Sequence, residues 1–126
     1  MIDLKTTLQI HNILIEKFGG IKGVREQGGL EAAIARPQAT FDGVDLYPDA
    51  IDKAAAIFES IIINHPFLDG NKRTAYTLLR LTLLETGIDI DASEDEKYEM
   101  TIAASKGELS FDGIKLWLAT KTKKIT

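Results

Sequence analysis

Apolar residues recur at helical spacing in several separate stretches of the chain, divided by glycine, proline and short polar residues. Between Thr6 and Phe18, the positions Leu8, Ile13, Leu14 and Phe18 trace one helical face, and Gly19-Gly20 ends the run. A glycine-rich stretch, Gly20 to Gly29, leads into a short helix predicted over Leu30 to Arg36. Pro37 closes it, because the residue ahead of a proline avoids helical angles. A loop then runs through Asp42-Gly43 to Pro48. From Asp49 to Asn64, Ile51, Ala54, Ala55, Ile57, Phe58, Ile61, Ile62 and Ile63 leave almost no polar face, the mark of a helix buried on most sides. A second strongly apolar helix is predicted over Asn71 to Thr86, carrying Leu78, Leu79, Leu81, Leu83 and Leu84 before Gly87 stops it. Ser93-Glu94-Asp95-Glu96 has the spacing of a capping box and starts a helix that reaches about Lys106. Ser110 is placed to cap a last helix in which Ile114, Trp117 and Leu118 face the core. Short strands fit Ile88 to Ile90 and Thr40 to Leu46.

This pattern describes an all-α bundle of about six helices whose two most apolar members are joined by the loop from His65 to Gly70. A length of 126 residues suits one domain, 1–126, with one core. Hydrophobic residues at 44% and charged residues at 27% are those of a chain that folds by itself. The net charge of −4 argues against a protein whose main work is to grip a nucleic-acid backbone. The absence of cysteine removes disulfides, thiolate metal sites and a cysteine nucleophile, and two histidines are too few for an all-histidine metal site. Met1-Ile2-Asp3-Leu4-Lys5 lacks the basic start and apolar core of a signal peptide, and no apolar run reaches membrane-spanning length, so a cytoplasmic protein without a membrane partner is expected.

The chemistry concentrates in His65-Pro66-Phe67-Leu68-Asp69-Gly70-Asn71-Lys72-Arg73-Thr74. A loop between two central helices sits at the edge of the core, where polar groups are held rigidly yet face solvent. The first turn of the following helix carries unpaired amide donors and the positive end of the dipole, which favours acidic side chains. This chain places Lys72 and Arg73 there instead. Two cations on that end cost stability unless an anion is bound, and phosphate is the usual one. Gly70 lets backbone approach the anion, and Asn71 is a good capping residue. Asp69 either pairs with the neighbouring cations or helps to hold magnesium alongside phosphate oxygens, and charge alone leaves both readings open. His65 is the general-base candidate of the loop, and Phe67 is expected to anchor it into the core. Together these residues describe a phosphoryl or nucleotidyl transfer site.

At these positions the sequence resembles the Fic/Doc family, whose signature runs His, any residue or Pro, Phe, any residue, Asp or Glu, Gly or Ala, Asn, Gly or Lys, and Arg. The flanks are similar to its death-on-curing branch as well: Phe18-Gly19-Gly20, Leu30-Glu31 through Arg36-Pro37, the apolar helix before the motif, Thr74, and Trp117-Leu118. The resemblance implies that His65 activates a target hydroxyl, Asp69 helps to place Mg2+, and Arg73 binds nucleotide phosphate, with Gly70, Asn71 and Lys72 lining the anion pocket. Family AMP transferases carry glycine where this chain has Lys72. The death-on-curing toxins carry lysine and are understood to bind ATP reversed, so that the γ-phosphoryl group faces the hydroxyl. The implied function is a toxin kinase acting on a protein hydroxyl, with a threonine of elongation factor Tu as target and inhibition of translation as result. Protein AMP transfer and a catalytically silent binding domain are the alternatives.

The resemblance also places a target-docking flap at Gln38 to Pro48, although inward packing is expected of Phe41, Val44, Leu46 and Tyr47. Arg25, Glu26 and Glu31 match family positions, and a structural salt bridge is expected of them. No glutamate stands in the pattern of self-inhibited members, so a separate, Phd-like antitoxin is expected to inhibit in trans by laying a helix into a groove.

Overall fold

Asp3 opens the first helix, α1 (Leu4–Phe18), by accepting a hydrogen bond from Thr6 N at 2.8 Å, and Gly19 closes it at a φ of 86°. The computed structural model describes residues 1–125. Its buried face is Thr7, His11 and Ile15 rather than the purely apolar stripe the pattern suggested. Ile13 and Phe18, expected inside, are 59% and 52% exposed. Two polar residues take the inner face because each finds a partner there, Thr7 Oγ1 donating to Asp3 O and His11 reaching the carbonyl of Asp69.

The second helix, α2 (Gln27–Ala35), begins three residues before the predicted Leu30, so Gly28 and Gly29 lie in its first turn. The cause is the Glu26 carboxylate, which accepts from Gly28 N at 3.1 Å and Gly29 N at 2.6 Å and places negative charge on the positive helix end. A 3-10 turn over Arg36–Gln38 follows, with Pro37 in its first turn. Strands β1 (Thr40–Phe41) and β2 (Val44–Asp45) form an antiparallel hairpin. Asp42 and Gly43 turn it at φ of 53° and 77°, the paired positive angles that suit Asp-Gly.

Helix α3 (Ala50–Asn64) starts on Asp49, which accepts from Asp52 N, and α4 (Asn71–Leu84) follows the motif loop. The capping box at Ser93 and Glu96 is present in both directions and starts α5 (Glu94–Ser105). Helix α6 (Phe111–Thr120) begins after Ser110, whose side chain makes no capping bond. A strand at Ile88–Ile90, β3, pairs antiparallel with β4 (Thr122–Lys124), which the sequence pattern did not suggest.

Helix α3 is the centre of the bundle. It packs most extensively on α4 and also touches α2, α5 and α6. Ile57, Phe58 and Ile61 of α3 meet Leu78, Leu79 and Leu83 of α4, Leu30 of α2, and Ile114 and Leu118 of α6, all essentially without solvent exposure. Truncating one such side chain typically costs about 2–5 kcal/mol. The near absence of a polar face on α3 is thus explained by neighbours on every side. Among the described residues, no helix is long and apolar enough to cross a membrane.

Candidate functional site

Helix α3 stops at Asn64 because Pro66 disfavours helical angles at His65. His65 itself takes a left-handed conformation, φ 45° and ψ 55°, which is uncommon for a residue with a side chain and costs about 1–2 kcal/mol. Three sets of contacts to this part of the loop hold it there. The Arg25 guanidinium donates to the carbonyls of His65 and Asn64, each at 2.7 Å, and so also caps the negative end of α3. Arg25 N and Glu26 N both donate to Pro66 O, at 2.7 and 3.1 Å. Val24 pairs with Phe67 as a β-bridge, and Leu68 N donates to Gly23 O at 3.0 Å. The segment from Gly23 to Glu26, which reads only as a glycine-rich connection, is therefore the splint of the motif loop. The salt bridge expected among Arg25, Glu26 and Glu31 does not form, since Arg25 is committed to backbone carbonyls and Glu26 to the amides of α2.

Phe67 anchors the loop as expected, with 1% exposure. What it anchors against is His11 of α1, whose ring stacks on it with centroids 3.8 Å apart and planes 6° from parallel. His11 is buried, and its Nε2 lies 2.8 Å from Asp69 O, a contact that calls for the proton on Nε2. Sequence reasoning missed His11; its one signal was a polar residue at position i+3 from Leu8 and i−4 from Ile15 on an inward-facing stripe. The side-chain amide of Asn71 closes the loop on itself, Nδ2 donating to Phe67 O and Oδ1 accepting from Phe67 N.

This geometry changes one expected role. Asn71 is the first residue of α4 and not its cap; the cap position falls to Gly70, in a left-handed conformation of φ 74° and ψ 20° with no side-chain cap bond. The amino end of α4 is left open to an external acceptor, and Lys72 and Arg73 stand exposed upon it. Among the described residues neither has a carboxylate partner. Arg73 instead lies over the half-exposed ring of Phe18, 3.9 Å from its centroid. Stacking occupies the face of a guanidinium and leaves its in-plane N–H edges free. Asp69 is likewise unpaired with those cations. Its carboxylate accepts from Gly70 N at 2.8 Å and Ile21 N at 3.2 Å, and it is exposed.

A cavity of about 440 Å³ opens beside these residues, with Asp69 to Arg73 and Tyr76 on one side and Glu94, Lys97, Tyr98, Thr101 and Ile102 of α5 on the other. Burial pushes the Tyr76 phenol above its ordinary value. His65 does not line the cavity; it is exposed at the opposite end of the same loop. A smaller hollow of about 260 Å³, lined in part by Ile2, Pro37, Pro48 and Ile57, shares no residue with the loop. The hairpin also departs from expectation: Phe41, Val44 and Leu46 are 73%, 68% and 53% exposed instead of packed inward. Both strands are exposed at every residue, and the segment meets the body just beyond them through Tyr47, which accepts from Arg36 Nε and packs at right angles to Phe111.

Residues 1–83 match the Fic/DOC family, a region that includes the whole motif loop. Over 84 residues the chain is 50% identical to a protein of Mycolicibacterium smegmatis named Toxin Doc, a match covering 62% of this chain and 65% of that one. Over 107 residues it is 30% identical to Protein kinase doc of Escherichia phage P1, covering 85% of this chain and 83% of that protein. The chain thus spans just under two thirds of the first relative and most of the second.

Proposed function

The chain belongs to the Fic/DOC family, and we propose that it is a Doc-like toxin kinase that transfers the γ-phosphoryl group of ATP to a hydroxyl on another protein. The observation that carries this reading is the open amino end of α4, where Lys72 and Arg73 stand without acidic partners among the described residues. A polyphosphate fits that end by charge and by hydrogen-bonding capacity. The names Toxin Doc and Protein kinase doc, borne by two relatives, support the same reading.

In this mechanism His65 takes the proton of the target hydroxyl, whose oxygen forms a bond to the γ-phosphorus. The bond from that phosphorus to the bridging β–γ oxygen breaks, and ADP leaves with the electron pair. Arg73 and Lys72 neutralise the phosphate oxygens, and Gly70, without a side chain, lets them approach the backbone amide of Asn71. Asp69 is suited to hold Mg2+, since its carboxylate is fixed by two backbone amides yet remains exposed with lone pairs to spare. Magnesium needs few protein ligands when phosphates supply the rest, and there it would supply positive charge to the transferring phosphates. Lys72 in place of the glycine of family AMP transferases favours γ-transfer over AMP transfer.

The exposed apolar side chains of the β1–β2 hairpin favour a protein as acceptor, since free sheet edges pair with extended backbone. A threonine of elongation factor Tu is the target, and its modification inhibits translation in the cytoplasm. A Phd-like antitoxin, bound in trans, restrains the enzyme. The test is incubation with elongation factor Tu and ATP labelled at either the γ or the α position, followed by mass measurement of the product. Label from γ and a phosphate adduct on a threonine are expected, absent with His65→Ala. Label from α alone would establish AMP transfer instead, and toxicity that survives both His65→Ala and Arg73→Ala would mark a binding domain without catalysis.

A further inference from the structure

Helix α1 lies outside the lining of the cavity, yet it reaches the motif loop at Asp69. His11 donates from Nε2 to Asp69 O at 2.8 Å while its ring lies flat against Phe67. A phenyl ring at position 11 would give the same stacking and the same burial without the cost of enclosing two ring nitrogens. What the imidazole adds is one N–H donor, and that donor is committed to one carbonyl. The next turn of α1 presses on the same spot: a Cβ on Gly70 would stand 3.1 Å from Ile15 Cδ1 and 3.7 Å from His11 Nε2. The turn that follows α1 meets the Asp69 side chain itself. Ile21 N donates to Oδ2 at 3.2 Å, and Gly20, at a φ of 123°, makes room for that oxygen, since a Cβ there would lie 2.8 Å from it.

We infer that His11 is a positioning residue for the Asp69 carboxylate, latching the Asp69–Gly70 peptide in the orientation that keeps this carboxylate fixed and open to a divalent cation; the inference rests on the phosphoryl-transfer reading, in which Asp69 holds Mg2+, and deepens it. The peptide is planar and trans, so its carbonyl and its N–H point to opposite sides. With Asp69 O drawn onto α1, the Gly70 N–H stands on the far side and donates to Asp69 Oδ1 at 2.8 Å. One hydrogen bond on the α1 side of the plane thus fixes another beyond it, and the second holds the carboxylate. Gly70 is what makes a latch necessary. Having no Cβ, it adopts positive and negative φ about equally well, so the local chain does not by itself choose between this peptide orientation and its inverse. In the inverse orientation the carbonyl oxygen would face the side that Oδ1 now occupies, the amide donor would be lost, and repulsion between the oxygens would swing the carboxylate away. A role for His11 in packing alone predicts none of this, because packing depends on the ring and not on where its proton points.

The test measures ATP affinity of the full chain by calorimetry, once with Mg2+ and once in EDTA, for the wild type, His11→Phe and His11→Gln. Phenylalanine keeps the stacked ring and removes the donor, whereas glutamine removes the ring and keeps an N–H donor at a similar reach from the backbone. The wild type should bind ATP more tightly with Mg2+ than without. In His11→Phe the affinity with Mg2+ should fall roughly three- to tenfold, the population shift that one hydrogen bond of ordinary strength controls, with affinity in EDTA unchanged because Lys72 and Arg73 are untouched. His11→Gln should restore the affinity with Mg2+ to within about twofold of the wild type, even if loss of stacking lowers its melting temperature. Amide exchange at Gly70, followed by NMR without any ligand, should quicken in His11→Phe and not in His11→Gln. Wild-type Mg2+ dependence in His11→Phe, or unchanged exchange at Gly70, would overturn the latch while leaving the transfer reading intact. Equal weakening with Mg2+ and in EDTA would also overturn it, as would a His11→Gln protein as impaired as His11→Phe, since the ring and not the donor would then matter. A wild type indifferent to Mg2+ would remove Asp69 from metal binding and the latch with it. A wild type that binds no ATP in either condition would sink the transfer reading and the latch together.

Discussion

Arg25→Ala is the perturbation that most directly separates the motif loop's architecture from its chemistry. The side chain makes two charge-assisted hydrogen bonds, to the carbonyls of His65 and Asn64, both at 2.7 Å. Such bonds are each worth about 1.5–3 kcal/mol when desolvated, but Arg25 is exposed and water replaces it in part, so the pair is expected to contribute about 1–2 kcal/mol. Against this stands the left-handed backbone of His65, whose cost is also about 1–2 kcal/mol. The two terms nearly cancel. Without the clamp, other conformations of His65 become populated to a similar or greater extent, and each 1.4 kcal/mol of shift lowers the competent fraction about tenfold. In the proposed mechanism the phosphate tail is held by α4, so the KM for ATP should change by less than about twofold while kcat falls roughly tenfold, the split expected when ground-state binding is untouched. Steady-state transfer from γ-labelled ATP measures both constants. A parallel proton NMR experiment should show the Hε1 resonance of His65 displaced while that of buried His11 stays in place. Arg25→Lys should restore only part of the rate, because an ammonium lacks the fork that serves two carbonyls at once. Unaltered kcat in a folded Arg25→Ala protein, or an equal loss in ATP affinity, would refute the clamp.

Three further outcomes follow from the same geometry. Gly70→Ala places a Cβ at φ 74° and 3.1 Å from Ile15 Cδ1, so the variant should lose about 1–2 kcal/mol. A thermal melt lowered by roughly 5 °C is the expected reading, and an unchanged melt would show that the turn is not strained. Phe18→Leu removes the ring under Arg73, a contact worth about 0.5–1 kcal/mol at an exposed site. ATP affinity should fall two- to fivefold, by roughly the same energy, and return with Phe18→Tyr, while the melting temperature stays put because the ring is half-exposed. Glu96, beside the Lys121 ammonium and the Ser93 amide, has its carboxyl pulled down from 4.5 to about 2. A depressed folded-state value means that its contribution is complete above the ordinary carboxylate range and is lost as pH falls from about 4.5 toward 2. Circular dichroism through an acid titration should show Glu96→Gln with a shallower loss of stability over that window than the wild type; identical slopes would discount the pair.

Local chemistry wrote much of this protein into its sequence. Ser93-Glu94-Asp95-Glu96 became the capping box, Asp42-Gly43 a hairpin turn, and the two most apolar stretches the packed pair α3 and α4, because caps, turn angles and hydrophobic periodicity depend on residues within a turn or two of one another. The motif was legible for the same reason: His65 to Arg73 is contiguous, and its cations break a rule of helix ends that can be checked residue by residue. Tertiary structure alone decided how the loop is held. Gly23 to Glu26 are separated from His65 to Leu68 by some forty positions, and nothing in their composition announces that one segment splints the other. His11 became a ring stacked under Phe67, and Phe18 turned outward to carry Arg73, because burial of an α1 side chain depends on which neighbour arrives with a matching partner. Pairing of β4 with β3 and the α5 wall of the cavity are likewise products of chain return. Periodicity tells which residues share a face, whereas contact between distant faces is a free-energy balance over the whole bundle.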